Sequence, residues 1–301
     1  MNVVLILKGL TVVGMLWSAF VIVKGIKGQL ATEEGQAQWA AEKKYGIYNG
    51  IVGIVAYFFD TLGIGSYAIA SSAFKLRKSV KDEFIPGTLN VGAAVPVLLE
   101  AFLFFGFVEV DILTLVLLVA GQVLGANLGA GLVTKWDAHK IRLGMGIGLI
   151  ALGIIMAIRT LGIGPFGALG TALGLTGVKL IIATIVCVAL GAFMNIGIGA
   201  YAPTMALVAI MGMNVGAAFP IMMGGCAFLL AFGNVPKFVK EKKYDMVASA
   251  YTTVLGTIGV LIAYFLVKSL PLDKLLWLVI IVVLYTGAIF LKDAIKDNKA
   301  A

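Results

Sequence analysis

Residues 180–236 read LIIATIVCVALGAFMNIGIGAYAPTMALVAIMGMNVGAAFPIMMGGCAFLLAFGNVP, a run between Lys179 and Lys237 without a single Asp, Glu, Lys or Arg. At about 1.5 Å per helical residue, such a run is long enough to cross a ~30 Å hydrocarbon core about twice. It cannot be one buried helix of a water-soluble domain. The rest of the 301-residue chain has the same character, with 61% hydrophobic and 13% charged residues. Soluble chains carry roughly 45–50% apolar and about 25% charged residues. The chain therefore reads as a polytopic membrane protein.

The formal charge of +8 does not mark a nucleic-acid partner, because the basic residues sit in short clusters between apolar spans. That is the pattern of cytoplasmic loops in a membrane protein, so membrane lipid is the expected surrounding. Cys187 and Cys226 both lie in apolar segments and offer neither a disulfide framework nor a metal-ligand spacing. No metal or other cofactor is expected. Residues 1–24 are too long and too evenly apolar for a cleaved signal peptide, and read as a retained helix. The 38 glycines predict helices packed closely through small residues.

Apolar segments fall at about 2–23, 46–74, 85–108, 111–134, 141–160, 180–213, 214–234, 246–268 and 273–291. None shows the ten-residue alternation of a membrane strand, so the expected fold is all-α. If all nine segments cross, the loops on the two sides hold 13 and 9 Lys/Arg, which hardly specifies an orientation. If 46–74 and 180–213 each enter and leave on one side, the count becomes 18 against 4. The positive-inside rule prefers the second arrangement. It predicts seven crossings and two re-entrant hairpins, with the N-terminus outside and the C-terminus in the cytoplasm.

Two passages recur along the chain. Phe59-Asp-Thr-Leu-Gly-Ile-Gly-Ser-Tyr-Ala68 matches Phe193-Met-Asn-Ile-Gly-Ile-Gly-Ala-Tyr-Ala202, and Asn90-Val-Gly-Ala-Ala-Val-Pro96 matches Asn214-Val-Gly-Ala-Ala-Phe-Pro220. A weaker match pairs Val123-Leu-Gly125 with Val254-Leu-Gly256. Each repeat is then a broken-helix hairpin plus three transmembrane helices. Three crossings are odd, so the second copy is inverted, an arrangement common in secondary transporters. The expected organisation is an extra N-terminal helix and cytoplasmic loop (1–45), a first repeat (46–160), an extracytoplasmic linker (161–179), a second repeat (180–292) and a cytoplasmic tail (293–301).

Each Gly-Ile-Gly lies mid-segment, where irregular backbone is tolerated only inside protein or beside a cavity. Close helix packing is the plainer explanation for any one glycine; the paired breaks favour a site. The chain re-enters a helix near Ala68 and at Pro203, and proline suits a first helical turn. The free N–H groups and positive dipole ends of two such half-helices, entering from opposite faces, would form an anion site near the membrane centre. Gly63, Gly65, Gly197 and Gly199 supply the breaks. Thr61, Ser66, Tyr67, Asn90, Asn195, Tyr201 and Asn214 supply uncharged groups for substrate binding. Asp60 and Glu100 are acids inside apolar segments and hence candidate proton-coupling groups. Their plainer roles are a cap for Asp60 and a local pairing for Glu100. Met194 stands where the first repeat has Asp60, so any acid chemistry is asymmetric. His139 reads as an exposed loop residue, and residues 29–44 as a short amphipathic or flexible cytoplasmic segment.

The passages Phe59-Asp-Thr-Leu-Gly-Ile-Gly65, Pro86-Gly-Thr-Leu-Asn90 and Gly197-Ile-Gly199 with Pro203 resemble the TauE/SafE family of sulfite exporter-like permeases. So does Gly121-x-x-x-Gly125-x-x-x-Gly129 before a basic loop. The likeness covers roughly residues 46–292. It departs at Ser66 and Tyr67, where the family often has glycines, and near Ile69, where it often has proline. The resemblance implies a carrier of sulfite, an organosulfonate or a related small sulfur or carboxylate anion in the cytoplasmic membrane of a prokaryote. Composition and motifs leave an anion channel and an integral-membrane enzyme as alternatives. The absence of any nucleophile elbow or His/Cys/Asp cluster disfavours the enzyme. A homodimer is left open.

Overall fold

The computed structural model describes residues 3–129, 138–161, 170–194 and 200–300. Among these, regular structure is helical, apart from one isolated bridge between Ala172 and Met213. The helices are α1 (Val3–Leu30), α2 (Glu33–Glu42), α3 (Gly46–Thr61), α4 (Tyr67–Arg77), α5 (Ile85–Phe104), α6 (Ile112–Gly129) and α7 (Ala138–Thr160). They continue with α8 (Gly177–Phe193), α9 (Tyr201–Ile210), α10 (Ala218–Leu229), α11 (Val235–Glu241), α12 (Met246–Lys268) and α13 (Leu272–Ala300). Among the described residues, five stretches are long and apolar enough to cross a membrane: Val3–Leu30, Asp82–Phe104, Val215–Glu241, Met246–Lys268 and Leu276–Ile295. The expected crossings at 111–134 and 141–160 appear as shorter apolar helices, Ile112–Leu128 and Gly146–Ile158. Large apolar side chains face outward, among them Leu5 at 68%, Val178 at 71% and Val254 at 64% exposure. An apolar exterior on apolar helices is the build of a multi-pass α-helical membrane protein.

The chain forms two compact units, residues 1–105 with 226–268, and residues 106–225 with 269–301. Each combines two separate stretches of the chain, which passes between the units after residue 105, within α10 and after residue 268.

In the first unit α3 packs along α12. Gly46 faces Tyr251, Gly53 faces Thr252 and Tyr57 faces Gly256, so the two helices run parallel. A Cβ at Gly53 would stand 2.9 Å from Thr252 Cα, and one at Gly259 would collide with the Ile54 carbonyl oxygen. Backbones this close need small residues at the seam. Helix α5 also runs parallel to α12, with Gly92 against Ser249 and Thr252 and Pro96 against Gly256. Since α3 and α5 start at the same end of the unit, residues 46–84 go in and come back. Val52, Ala56, Ala70, Phe74, Ile85, Leu89 and Ala248 form the core that holds this return. Helix α1 runs antiparallel to α5, with Gly14 against Leu98 and the Lys8 ammonium 5.3 Å from the Phe102 ring centre. The basic loops at 24–44, 75–81 and 237–243 therefore share one end of this unit.

Residues 29–44, expected as a short amphipathic or flexible segment, hold the short helix α2 and are tied to α12. Thr32 caps α2, accepting the Gly35 N–H at 3.1 Å. Gln29 donates to the Tyr244 hydroxyl at 2.9 Å, and Glu42 Oε2 accepts the Val247 N–H at 3.2 Å. The segment is a clasp on the start of α12.

In the second unit α6 and α8 run parallel in close contact, with Gly121 facing Thr184 and Cys187, and Gly125 facing Val188. Helices α7 and α13 run antiparallel, pairing Gly146 with Leu291 and Gly153 with Leu284. Asp111 starts α6 by accepting from both the backbone N–H and the hydroxyl of Thr114 at 2.8 Å, bonds that hold its carboxyl below the usual range.

Candidate functional site

The first break, between α3 and α4, is built by the backbone. The Gly63 N–H donates to the Asp60 carbonyl at 2.7 Å and the Ile64 N–H to the Phe59 carbonyl at 3.0 Å. This closes α3 with a Schellman motif, whose left-handed position is Gly63 at φ +92°. Gly65 follows at φ +93° with nothing within 4 Å of the place a Cβ would take. Glycine is demanded there by conformation, not by packing. Ser66 then begins α4 without a side-chain cap.

Asp60 supplies the missing cap from across the break: its Oδ1 accepts the Ser66 N–H at 2.5 Å. Glu100, on α5, meets the same place from the side, with its Oε1 2.9 Å from Thr61 Oγ1. Thr61 Oγ1 also lies 2.8 Å from the Tyr57 carbonyl oxygen. Asp60 is 4% and Glu100 0% exposed, so both acids lie inside the protein. Tyr57 is within electrostatic reach of Asp60, Glu100 and Tyr67, and Tyr67 is within reach of Cys226 and Asp60. The first unit thus gathers two acids, a hydroxyl and two phenols around one broken helix. The Asp60 carboxyl already occupies the dipole end of α4, where a substrate anion was expected. When ionised it would repel an anion approaching that helix start.

The other expected site residues fall in three places. Ser66 is buried at 2% exposure, while Tyr67 is 37% exposed beside it. Asn90 lies ten residues from Glu100, about 15 Å along the helix axis, and is not part of this cluster. Its amide donates to the Pro86 carbonyl, and its Oδ1 accepts from Asn234 in the π-helical turn Leu230–Asn234 at 2.8 Å. In the second unit, Asn214 Oδ1 accepts the Gly216 N–H and shapes the start of a short 3-10 turn. Asn195, Gly197 and Gly199 lie outside the described residues.

Beyond them α9 begins at Tyr201, which is 7% exposed, with Pro203 in its first turn. Gln122 of α6 donates to Thr204 Oγ1 at 2.9 Å, bracing the start of α9. Gln122 was missed in the sequence, as were Tyr57 and Thr204. It is a long polar side chain within segment 111–134, and the rule that picked out Asp60 and Glu100 would have found it if extended to uncharged groups.

Among the described residues no group of three or more His, Cys, Asp or Glu side chains could hold a metal ion. No known protein family, curated protein or solved structure matches the chain.

Proposed function

We propose that the protein is a secondary transporter that moves a small anion across the cytoplasmic membrane of a prokaryote by alternating access. The observation that carries the reading is the break at Gly63–Gly65, with two buried carboxyls beside it in otherwise apolar helices. Backbone irregularity inside an apolar segment, together with an intramembrane acid, is what a transport site requires and what a packing scaffold avoids. Helix pairing supports an inverted-repeat plan of seven crossings and two re-entrant hairpins. In one unit the first hairpin's α3 lies parallel to α12, a crossing of the second repeat. In the other, the second hairpin's α8 lies parallel to α6, a crossing of the first.

The anion is held by backbone N–H groups and neutral donors, and proton uptake by Glu100 lowers the negative charge beside the first break. The motifs shared with the TauE/SafE permeases direct the choice to sulfite, organosulfonates or related sulfur and carboxylate anions. Binding is tested by thermal shift of the purified protein with sulfite, sulfate, thiosulfate, sulfoacetate, taurine and short carboxylates, followed by flux into proteoliposomes. One chemical class should stabilise the protein, and its flux should saturate. No shift with any of these anions would sink the anion reading, and unsaturable electrogenic flux would replace the carrier with a channel.

A further inference from the structure

Thr61 ends α3 with one hydroxyl proton and two acceptors in reach. Its Oγ1 is 2.8 Å from the Tyr57 carbonyl, one turn back, and 2.9 Å from Glu100 Oε1 on α5. A single O–H serves one of these lines at a time. When Glu100 is ionised, its oxygen takes the Thr61 proton in a charge-assisted bond. When Glu100 is protonated, its own O–H donates to Thr61 Oγ1, and the Thr61 hydroxyl turns back to Tyr57. Threonine back-bonding of that kind, to the carbonyl four residues earlier, bends a helix.

We propose that Glu100 and Thr61 form a proton-operated hydroxyl switch, which sets the bend of the last turn of α3 just before the Gly63–Gly65 break. Asp60 is the fixed cap of α4 and does not switch. The two acids differ in the kind of group that one bond of each reaches. Ser66 offers Asp60 an N–H, which can only donate and so favours the carboxylate. Thr61 offers Glu100 a hydroxyl, which can donate to the ionised acid or accept from the neutral one. Protonation forms one O–H bond on the Glu100 carboxyl, with a proton taken from the aqueous phase. One hydrogen bond reverses, and no other covalent bond changes.

The ionisable groups around this switch come from each element packed near it. Among them are Tyr57 and Asp60 of α3, Tyr67 of α4 and, within reach of Tyr67, Cys226 of α10. Lys8 of α1 lies over Phe102, and Tyr264 of α12 stands edge-on to Phe104. Only the consequence for transport, that proton uptake accompanies anion movement, rests on the carrier reading above.

Infrared difference spectra of the full chain in phosphatidylcholine–phosphatidylglycerol vesicles, titrated from acid to alkaline pH, test the switch without any substrate. In an Asp245→Asn background, the titrating band of a buried carboxyl should be present, lost on adding Glu100→Gln and kept on adding Asp60→Asn. Its midpoint should rise by about one pH unit, a tenfold change in proton affinity, in Thr61→Val, because the charged acid loses the stronger bond. Thr61→Ser, which keeps the hydroxyl, should restore the wild-type midpoint. A band that disappears with Asp60→Asn, a midpoint unmoved in Thr61→Val, or no band that Glu100→Gln removes would overturn the switch. Sulfite flux in the same vesicles separates the two claims. Sulfite-linked proton uptake without the infrared pattern removes the switch and leaves the carrier. The infrared pattern without flux of any of the anions screened above leaves the switch and removes the anion reading.

Discussion

Gly65 sits at φ +93° with open space where a Cβ would go. An L-residue there is strained by backbone sterics, at about 1–2 kcal/mol, although it would touch nothing. Gly65→Ala should lower the thermal midpoint of the purified protein by a cost of that size. Gly65→Val should add the crowding of a branched side chain and abolish proteoliposome flux while membrane insertion continues. Wild-type flux in both variants would show that the open space beside Gly65 is unused. Asp60 allows a finer comparison, since Asn retains an oxygen to accept the Ser66 N–H and Ala does not. Asp60→Ala should destabilise by roughly 1–3 kcal/mol, the cost of a stranded buried donor, and Asp60→Asn by clearly less. Equal losses in thermal unfolding would mean that the cap is not what Asp60 contributes. Both acids were legible in the sequence because a carboxyl inside an apolar segment stands out by composition alone. Thr61 was legible only as one polar group among several, since its role depends on an acid 39 residues away.

The clasp of α2 on α12 belongs to the scale of elements and carries its own pH dependence. Asp245 and Glu42, at 2% and 8% exposure, both accept N–H groups of the first turn of α12. Burial first, and then the charge of Glu42, push the Asp245 carboxyl up to about 8. An unfolded Asp titrates near 4, so between roughly pH 4 and 8 the folded chain keeps a proton that the unfolded chain has released. This contribution to stability is fully present below that window and is lost as pH rises through it. The thermal midpoint of the wild type should therefore fall between about pH 5 and 8.5. Asp245→Asn, which can still cap the Ala248 N–H but cannot titrate, should flatten that slope; an unchanged slope would place the titrating group elsewhere. Composition at 29–44 showed only an amphipathic stretch. Its use as a clasp depends on residues some two hundred positions further on, and local periodicity carries no trace of that distance.

At the scale of the whole molecule, the apolar outer faces and the return of residues 46–84 to the end they left make topology the decisive measurement. Arg77 and Lys242 are exposed, whereas nearby Ser79 is 4% exposed and a poor labelling position. With Cys187 and Cys226 replaced, Arg77→Cys and Lys242→Cys should both react with an impermeant thiol reagent only from the cytoplasmic side. Labelling of Arg77→Cys from outside would end the hairpin reading and return a chain that crosses with every apolar segment. The sequence by itself determined the helical membrane class, the rough placing of the apolar helices, the first break and the two buried acids. Each of these follows from local composition: apolar length for a span, glycine for a left-handed turn, charge against an apolar background for an acid. Only the tertiary structure decided that α3 lies parallel to α12, that Thr61 meets Glu100, that Asn90 turns to Asn234 and that Glu42 reaches the start of α12. Those contacts join residues 39 to 205 positions apart. They exist because small residues let particular backbones approach, a property of paired surfaces that no single stretch of chain contains.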